Sequence, residues 1–296
     1  MGSLIGFWAG TRTKDMIEAL QLEFMRNALA AGILVSTVCG VIGTLVVVNR
    51  IVFLAGGIAH AAYGGIGLAF FMGWPYAAGT TGFSLLAAGA MAAVTLKAKH
   101  RADAMVGVIW AVGMAVGVVL LDLTPGYHVD LMSYLFGSIL AVPASDLWQM
   151  GGIGAVVILV VTWYYNDFLA MSYDDEFARL RNVPVTFLYC LLLGMIAVTV
   201  VMIIRVVGLI LVIALLTIPP FIAEKFTRSL RAMMVASSIL SCLFTLSGLW
   251  LSYLLNLTSG ATIILVAAAG FILSHLWGRL RAMGSIHQIQ GTGSSE

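Results

Sequence analysis

Polar and charged residues in this chain fall in short clusters, and between the clusters run apolar stretches long enough to cross a lipid bilayer. A membrane helix needs roughly 17–25 apolar residues to span the hydrocarbon core. That criterion marks 28–48, 51–73, 82–96, 104–121, 147–165, 185–204, 206–222, 233–255 and 261–277. Nine spans result. The third and seventh are short, so eight remains the alternative. No Asp or Glu falls inside any of them. The expected fold class is therefore an all-α polytopic membrane protein with about nine transmembrane helices. Residues 1–27 read as an N-terminal extension with a surface helix over 20–27. Residues 28–279 form the transmembrane domain, and the Gly/Ser-rich stretch 280–296 reads as a disordered tail.

Two connecting loops exceed turn length. The first, 122–146, has an amphipathic middle over 131–142 that suits a short re-entrant or surface helix. The second, 166–183, carries the local signals of a capped helix. Ser172 or Asp174 can cap it, Asp175 and Glu176 fall in its first turn, and Arg179 and Arg181 in its last. Asn182 and Pro184 stop it. Phe177, three residues before Leu180, gives that helix an apolar edge, with Ala178 between them. Such an element is either offered to a soluble partner or rests on lipid headgroups.

Composition removes the soluble alternatives. Of 296 residues, 61% are hydrophobic and 9% charged, against about 25% charged in an average soluble domain. The placement of the basic residues sets an orientation. With the Lys97–Asp103 loop in the cytoplasm, Arg50, Lys97, Lys99, Arg101, Arg179, Arg181, Lys225, Arg228, Arg231, Arg279 and Arg281 all face inside. Arg12, Lys14, Arg26 and Arg205 face outside, so 11 of 15 obey the positive-inside rule and the C-terminus is expected in the cytoplasm. Cys39, Cys190 and Cys242 each stand alone in an apolar segment, which argues against a disulfide framework or thiolate site.

Candidate chemistry concentrates in the second span. From Ile51 to Gly73 it holds no charged residue and one histidine, His60. An imidazole in lipid needs a partner or a polar cavity, and intramembrane ionisable groups are functional candidates by default. At about 100° per residue, Gly56, His60, Tyr63, Gly64 and Gly67 share one helical face. They outline a groove with a nitrogen ligand in it, suited to an ion path. Helix packing is the other reading, since Gly57, Ala61 and Gly65 on the adjacent face have the spacing that brings membrane helices close. Elsewhere, Pro219 and Pro220 should break or end the seventh helix. His128 and Asp130, in the 122–146 loop, are candidates to receive a cation at the outer surface. The chain has no Walker-type phosphate loop and no His-Glu-x-x-His motif, so energy for uphill transport has to come from another subunit.

Four stretches together resemble the membrane permease subunit of the zinc/manganese-type ABC importers: RIVFLAGGIAHAAYGG (50–65), VDLMSYLFGSILAV (129–142), DDEFARLRNV (174–183) and VGLILVIALLTIPPFIA (207–223). The likeness runs from about Met16 to Met283. It implies a homodimer with the translocation path between two copies, two ABC ATPase subunits and an extracytoplasmic metal-binding protein, with no nucleic-acid partner. It places the chain in a bacterial or archaeal cytoplasmic membrane. It implies a transported divalent ion (zinc, manganese or iron) and no permanently bound cofactor, with ATP hydrolysis in the partner and not in this chain. His60 takes the metal position on the path with Gly56, Tyr63, Gly64 and Gly67. The segment with Asp174, Asp175, Glu176, Phe177, Ala178 and Arg179 corresponds to the helix that couples to the ATPase. Three positions depart from the family pattern. Gly56 stands where many members carry an acidic residue one turn before the histidine, Ser138 where some zinc-uptake members are acidic, and Asn182 where glycine is common. The loss of the carboxylate at Gly56 motivates an alternative substrate, a metal chelate or small organic cofactor carried by the same architecture.

Overall fold

The computed structural model describes residues 21–97, 102–125, 137, 139 and 142–292. Eleven helices occur among them and no strand. They are α1 (Glu23–Val48), α2 (Val52–Met72), α3 (Tyr76–Lys97), α4 (Ala102–Asp122), α5 (Ala144–Trp163), α6 (Tyr165–Tyr173), α7 (Asp175–Leu180), α8 (Val185–Val207), α9 (Leu209–Glu224), α10 (Leu230–Leu255) and α11 (Ser259–Thr292). Eight of these are long and apolar enough to cross a membrane, and α9 is a shorter apolar helix. At 16 residues and 1.5 Å per residue, α9 is about 24 Å long, short of a hydrocarbon core about 30 Å thick.

Several boundaries differ from those read off the sequence. The third span begins at Tyr76 and not at 82. Its first turns, rich in Gly and Thr, look too polar to count, yet packing absorbs them. The Thr80 hydroxyl donates to the Tyr76 carbonyl at 2.7 Å, and a Cβ on Gly79 would press on Ala69 of α2. Residues 23–27 are the first turns of α1 and not a separate surface helix, because Met25 is fully buried. Asn27 Nδ2 donates to the Val142 carbonyl at 3.2 Å, which ties that end to the start of α5. The last helix continues in its backbone to Thr292, past the start of the expected tail; no proline interrupts that stretch.

The two prolines were expected to break or end a helix, but both lie buried inside α9, which continues to Glu224. Each removes one donor, leaving the Leu215 and Leu216 carbonyls without their helical bonds. Gly43 of α1 packs directly there. A Cβ on Gly43 would sit 2.6 Å from the Leu216 oxygen and 2.9 Å from Pro220 Cγ. Protein backbone thus covers the freed carbonyl, the condition under which proline is tolerated at membrane depth.

α1 packs along α10 and α9, while α2 packs along α4 and α3, with α8 against α3, α2 and α5. The buried seam between α1 and α10 is polar and small, with Ser36 Oγ donating to Thr245 Oγ1 at 3.0 Å. Outward faces are apolar instead, as with Val108, Val112, Val116 and Val119 of α4 and Val156 and Leu159 of α5. A small polar seam with apolar residues facing outward suits lipid, where packing and hydrogen bonds hold helices together in place of the hydrophobic effect.

Basic residues gather at one end. Asn49, after α1, donates to Ser172 Oγ of α6 at 2.9 Å, and the Arg231 guanidinium lies 4.5 Å over the Tyr165 ring. A cavity of about 640 Å³ at this end is lined by Arg50, Asp103, Ser172, Asp174 and Arg179 among others. At the opposite end, Gly137 abuts Val207 and Gly208, where α8 hands over to α9.

Candidate functional site

α2 and α4 both start at the basic end, and His60 and Trp110 are each the ninth residue of a 21-residue helix. Equal depth brings the rings together. They stack with centroids 4.2 Å apart and planes 15° from parallel. His60 Nδ1 is buried and has no hydrogen-bond partner, although the residue as a whole is only partly buried. The indole is held on its other sides. Its Nε1–H donates to Met114 Sδ at 3.1 Å, and the Phe53 ring sits 6.0 Å away, tilted 56°.

The face expected to carry His60 divides in two. A Cβ on Gly64 would lie 2.6 Å from Phe83 Cζ and 2.8 Å from the Gly113 carbonyl oxygen. One on Gly67 would lie 2.7 Å from Gly117 Cα, and Tyr63 is buried, its backbone against Gly117. These three positions close a seam with α3 and α4 and do not line an open groove. At Gly56 the nearest atom to a built Cβ is Ile213 Cδ1, 3.9 Å away, so this position alone among the glycines of that face has room. The adjacent face packs as its spacing suggests. Ala61 meets Gly113, Gly65 meets Thr80 and Gly57 meets Met91 and Val106. His128, Asp130 and Ser138 lie outside the described residues. Among the described residues no group of three His, Cys, Asp or Glu is placed to hold a metal ion. A single imidazole per chain is what α2 offers. It is a borderline ligand for zinc and its neighbours.

The second element is the loop helix. Asp174 caps α7, its Oδ1 accepting from the Phe177 N–H at 2.9 Å, with Asp175 and Glu176 in the first turn and Arg179 in the last. Ser172, the other candidate cap, belongs to α6 and accepts from Asn49. The loop therefore forms two short helices. The exit from α7 is a Schellman turn. Asn182 has φ +61°, its N–H reaches the Arg179 carbonyl, and the Val183 N–H reaches that of Ala178, both at 3.0 Å. Asn is the residue after Gly that best accepts this left-handed backbone. Ala178 is fully buried, while Phe177 is 53% and Leu180 83% exposed. α7 is thus anchored through one small residue and presents two large apolar ones outward.

Sequence reasoning missed Trp110. Its signal was depth, since Trp in membrane helices favours the interfacial belts and this one lies well inside α4.

Long apolar helices with apolar outward faces, a close glycine seam between α2 and α4 and a capped helical loop at the basic end define a multi-pass helical membrane protein. The chain belongs to the ABC 3 transport family, whose model matches residues 21–278. It is 50% identical over 264 residues to an uncharacterised membrane protein of Synechocystis, covering 89% of this chain and 94% of that protein. It is 30% identical to the manganese transport system membrane protein MntC of Halalkalibacterium halodurans, covering 87% and 88%. Among solved structures it resembles PsaBC from Streptococcus pneumoniae in complex with Fab, with TM-score 0.81 and 30% identity over 88% of this chain and 95% of that one.

Proposed function

We propose that this chain is the pore-forming subunit of an ATP-driven importer of a divalent transition-metal ion. The observation that carries the reading is its likeness, over nearly its whole length, to MntC. The basic end, with α7, faces the cytoplasm and the C-terminus with it; an extracytoplasmic metal-binding protein delivers the ion at the opposite end. An ABC ATPase subunit docks on α7 through Phe177 and Leu180. A second copy of the chain completes the path, and two such ATPases drive the switch between facing states. His60 is a transient ion ligand there, and Gly56 leaves the space beside it.

Gly56 also favours a second reading. Without a carboxylate one turn from His60, the path is wider and less charged, which suits a metal chelate.

The test is ATP-driven uptake of Zn2+ or Mn2+ by the permease reconstituted in liposomes with its ATPase. Leu180→Glu and Phe177→Glu put a charge on the exposed edge of α7 but leave its cap and the buried Ala178 intact. Both should lower uptake at least tenfold with membrane insertion unchanged. Uptake that needs no ATPase, or that both variants leave intact, overturns the reading.

A further inference from the structure

We propose that Trp110 is a positioning residue for the ion-binding imidazole, a shelf that fixes the His60 ring so that Nε2 is the nitrogen an ion meets. The inference rests on His60 being an ion ligand.

His60 lacks the partner that orients such a ligand. A metal-binding histidine ordinarily has its second nitrogen hydrogen-bonded, often to a carboxylate, and that bond fixes tautomer and ring orientation. Here Nδ1 is buried with no partner at all, and the position one turn earlier is Gly56. Nothing polar orients the ring. The contact that does is aromatic, with 4.2 Å between centroids and 15° between planes.

A shelf must itself be rigid, and Trp110 is held at two further points. Its N–H is tied to Met114 Sδ, and Phe53 braces the ring. Behind them the α2–α4 seam fixes the helices, since Gly113 packs on Ala61 and Gly117 on the backbone of Tyr63. The distance between the two ring-bearing backbones is therefore set by glycine contacts and not by the rings. With Nδ1 against protein, Nε2 is left for the ion. The stack replaces the missing second-nitrogen bond as the orienting contact. Because a stack carries no charge, it orients the ligand without raising its basicity as a carboxylate would, which suits a site that must release its ion.

The experiment titrates Co2+ into the full chain in lipid nanodiscs, reads the visible absorption of the metal, and measures ATP-driven Co2+ uptake by the reconstituted complex. His60→Ala should abolish the absorption change. Trp110→Ala should keep the parent's Co2+ stoichiometry but weaken binding about fivefold, the order expected for one aromatic pair. It should raise KM for Co2+ uptake and leave kcat near the parent value. Trp110→Phe, which keeps a ring face and loses only the Met114 tether, should stay within about twofold of the parent, and Trp110→Leu, which keeps bulk without a ring, should behave like Trp110→Ala. If His60→Ala binds Co2+ normally, the ion-ligand reading itself fails. If His60→Ala abolishes binding while the Leu and Phe variants bind alike, that reading stands and the role of Trp110 is overturned. The Leu and Phe pair decides the matter even if Trp110→Ala fails to fold.

Discussion

Gly56 and Gly67 lie on one face of one helix and do opposite things. At Gly67 the α4 backbone is in the way, because a built Cβ would come within 2.7 Å of Gly117 Cα. At Gly56 the nearest atom is the flexible tip of Ile213, at an ordinary 3.9 Å. The far half of α2 is glycine-rich so that two helices can touch. The near half carries a glycine where nothing presses on it, beside an imidazole with an unpartnered nitrogen. On this face of α2, then, a glycine means packing where a neighbouring helix presses on it, and space where none does.

The sharpest way to break this contrast is to add bulk at the far half. Gly67→Leu has to push α4 off α2, and backbone on the other side cannot turn away as a side chain can. Overpacking ordinarily costs about 1–3 kcal/mol, and here the cost belongs at the top of that range or beyond. The variant should lose the monodisperse peak on gel filtration in mild detergent. A normal peak with an unshifted melting temperature would mean the seam is looser than its contacts.

The second test adds chemistry at the near half. Gly56→Asp places a carboxylate one turn before His60, on the same face, where the structure has room for a side chain to start. Carboxylate oxygen suits manganese better than imidazole does, and supporting ligands typically change metal affinity about 10–100-fold. Mn2+ binding to the purified chain should tighten at least tenfold by competition against a fluorescent chelator. An unchanged Mn2+ affinity would show that the missing carboxylate is not what limits the site.

The spans were legible because lipid imposes a one-dimensional rule, and apolar runs obey it without reference to neighbours. The cap of α7, narrowed to Ser172 or Asp174, and the stop at Asn182 were legible for the same reason, as both act within four residues; the contact of Ser172 with Asn49, which leaves Asp174 as the cap, was not. What the sequence hid depends on contacts across the fold. The first turns of α3 count as helix because Ala69 and Gly65 of α2 receive Gly79. α9 survives two prolines because Gly43 covers the freed Leu216 carbonyl. His60 announced itself as a polar residue in a charge-free run. Its partner Trp110 did not, since an aromatic residue 50 positions away in an apolar helix carries no local mark of pairing. The division of the Gly56–Gly67 face was hidden too, for helical periodicity gives the face and not what lies opposite.

The smallest effect is the most discriminating. Gly56→Ala adds one methyl where the nearest atom would be Ile213 Cδ1 in normal van der Waals contact. In a helix interior, Gly costs roughly 0.5–1 kcal/mol relative to Ala through backbone entropy. With no clash to offset that gain, thermal unfolding of the detergent-purified variant should occur at the parent temperature or a degree or two above it. The same single methyl at Gly64, 2.6 Å from Phe83 and 2.8 Å from a carbonyl oxygen, should lower it. The pair isolates the surroundings from the residue type, since the substitution, the helix and the face are identical. Equal shifts of the same sign at both positions would remove the distinction between a packed and an open half of α2, and with it the space assigned to the ion beside His60.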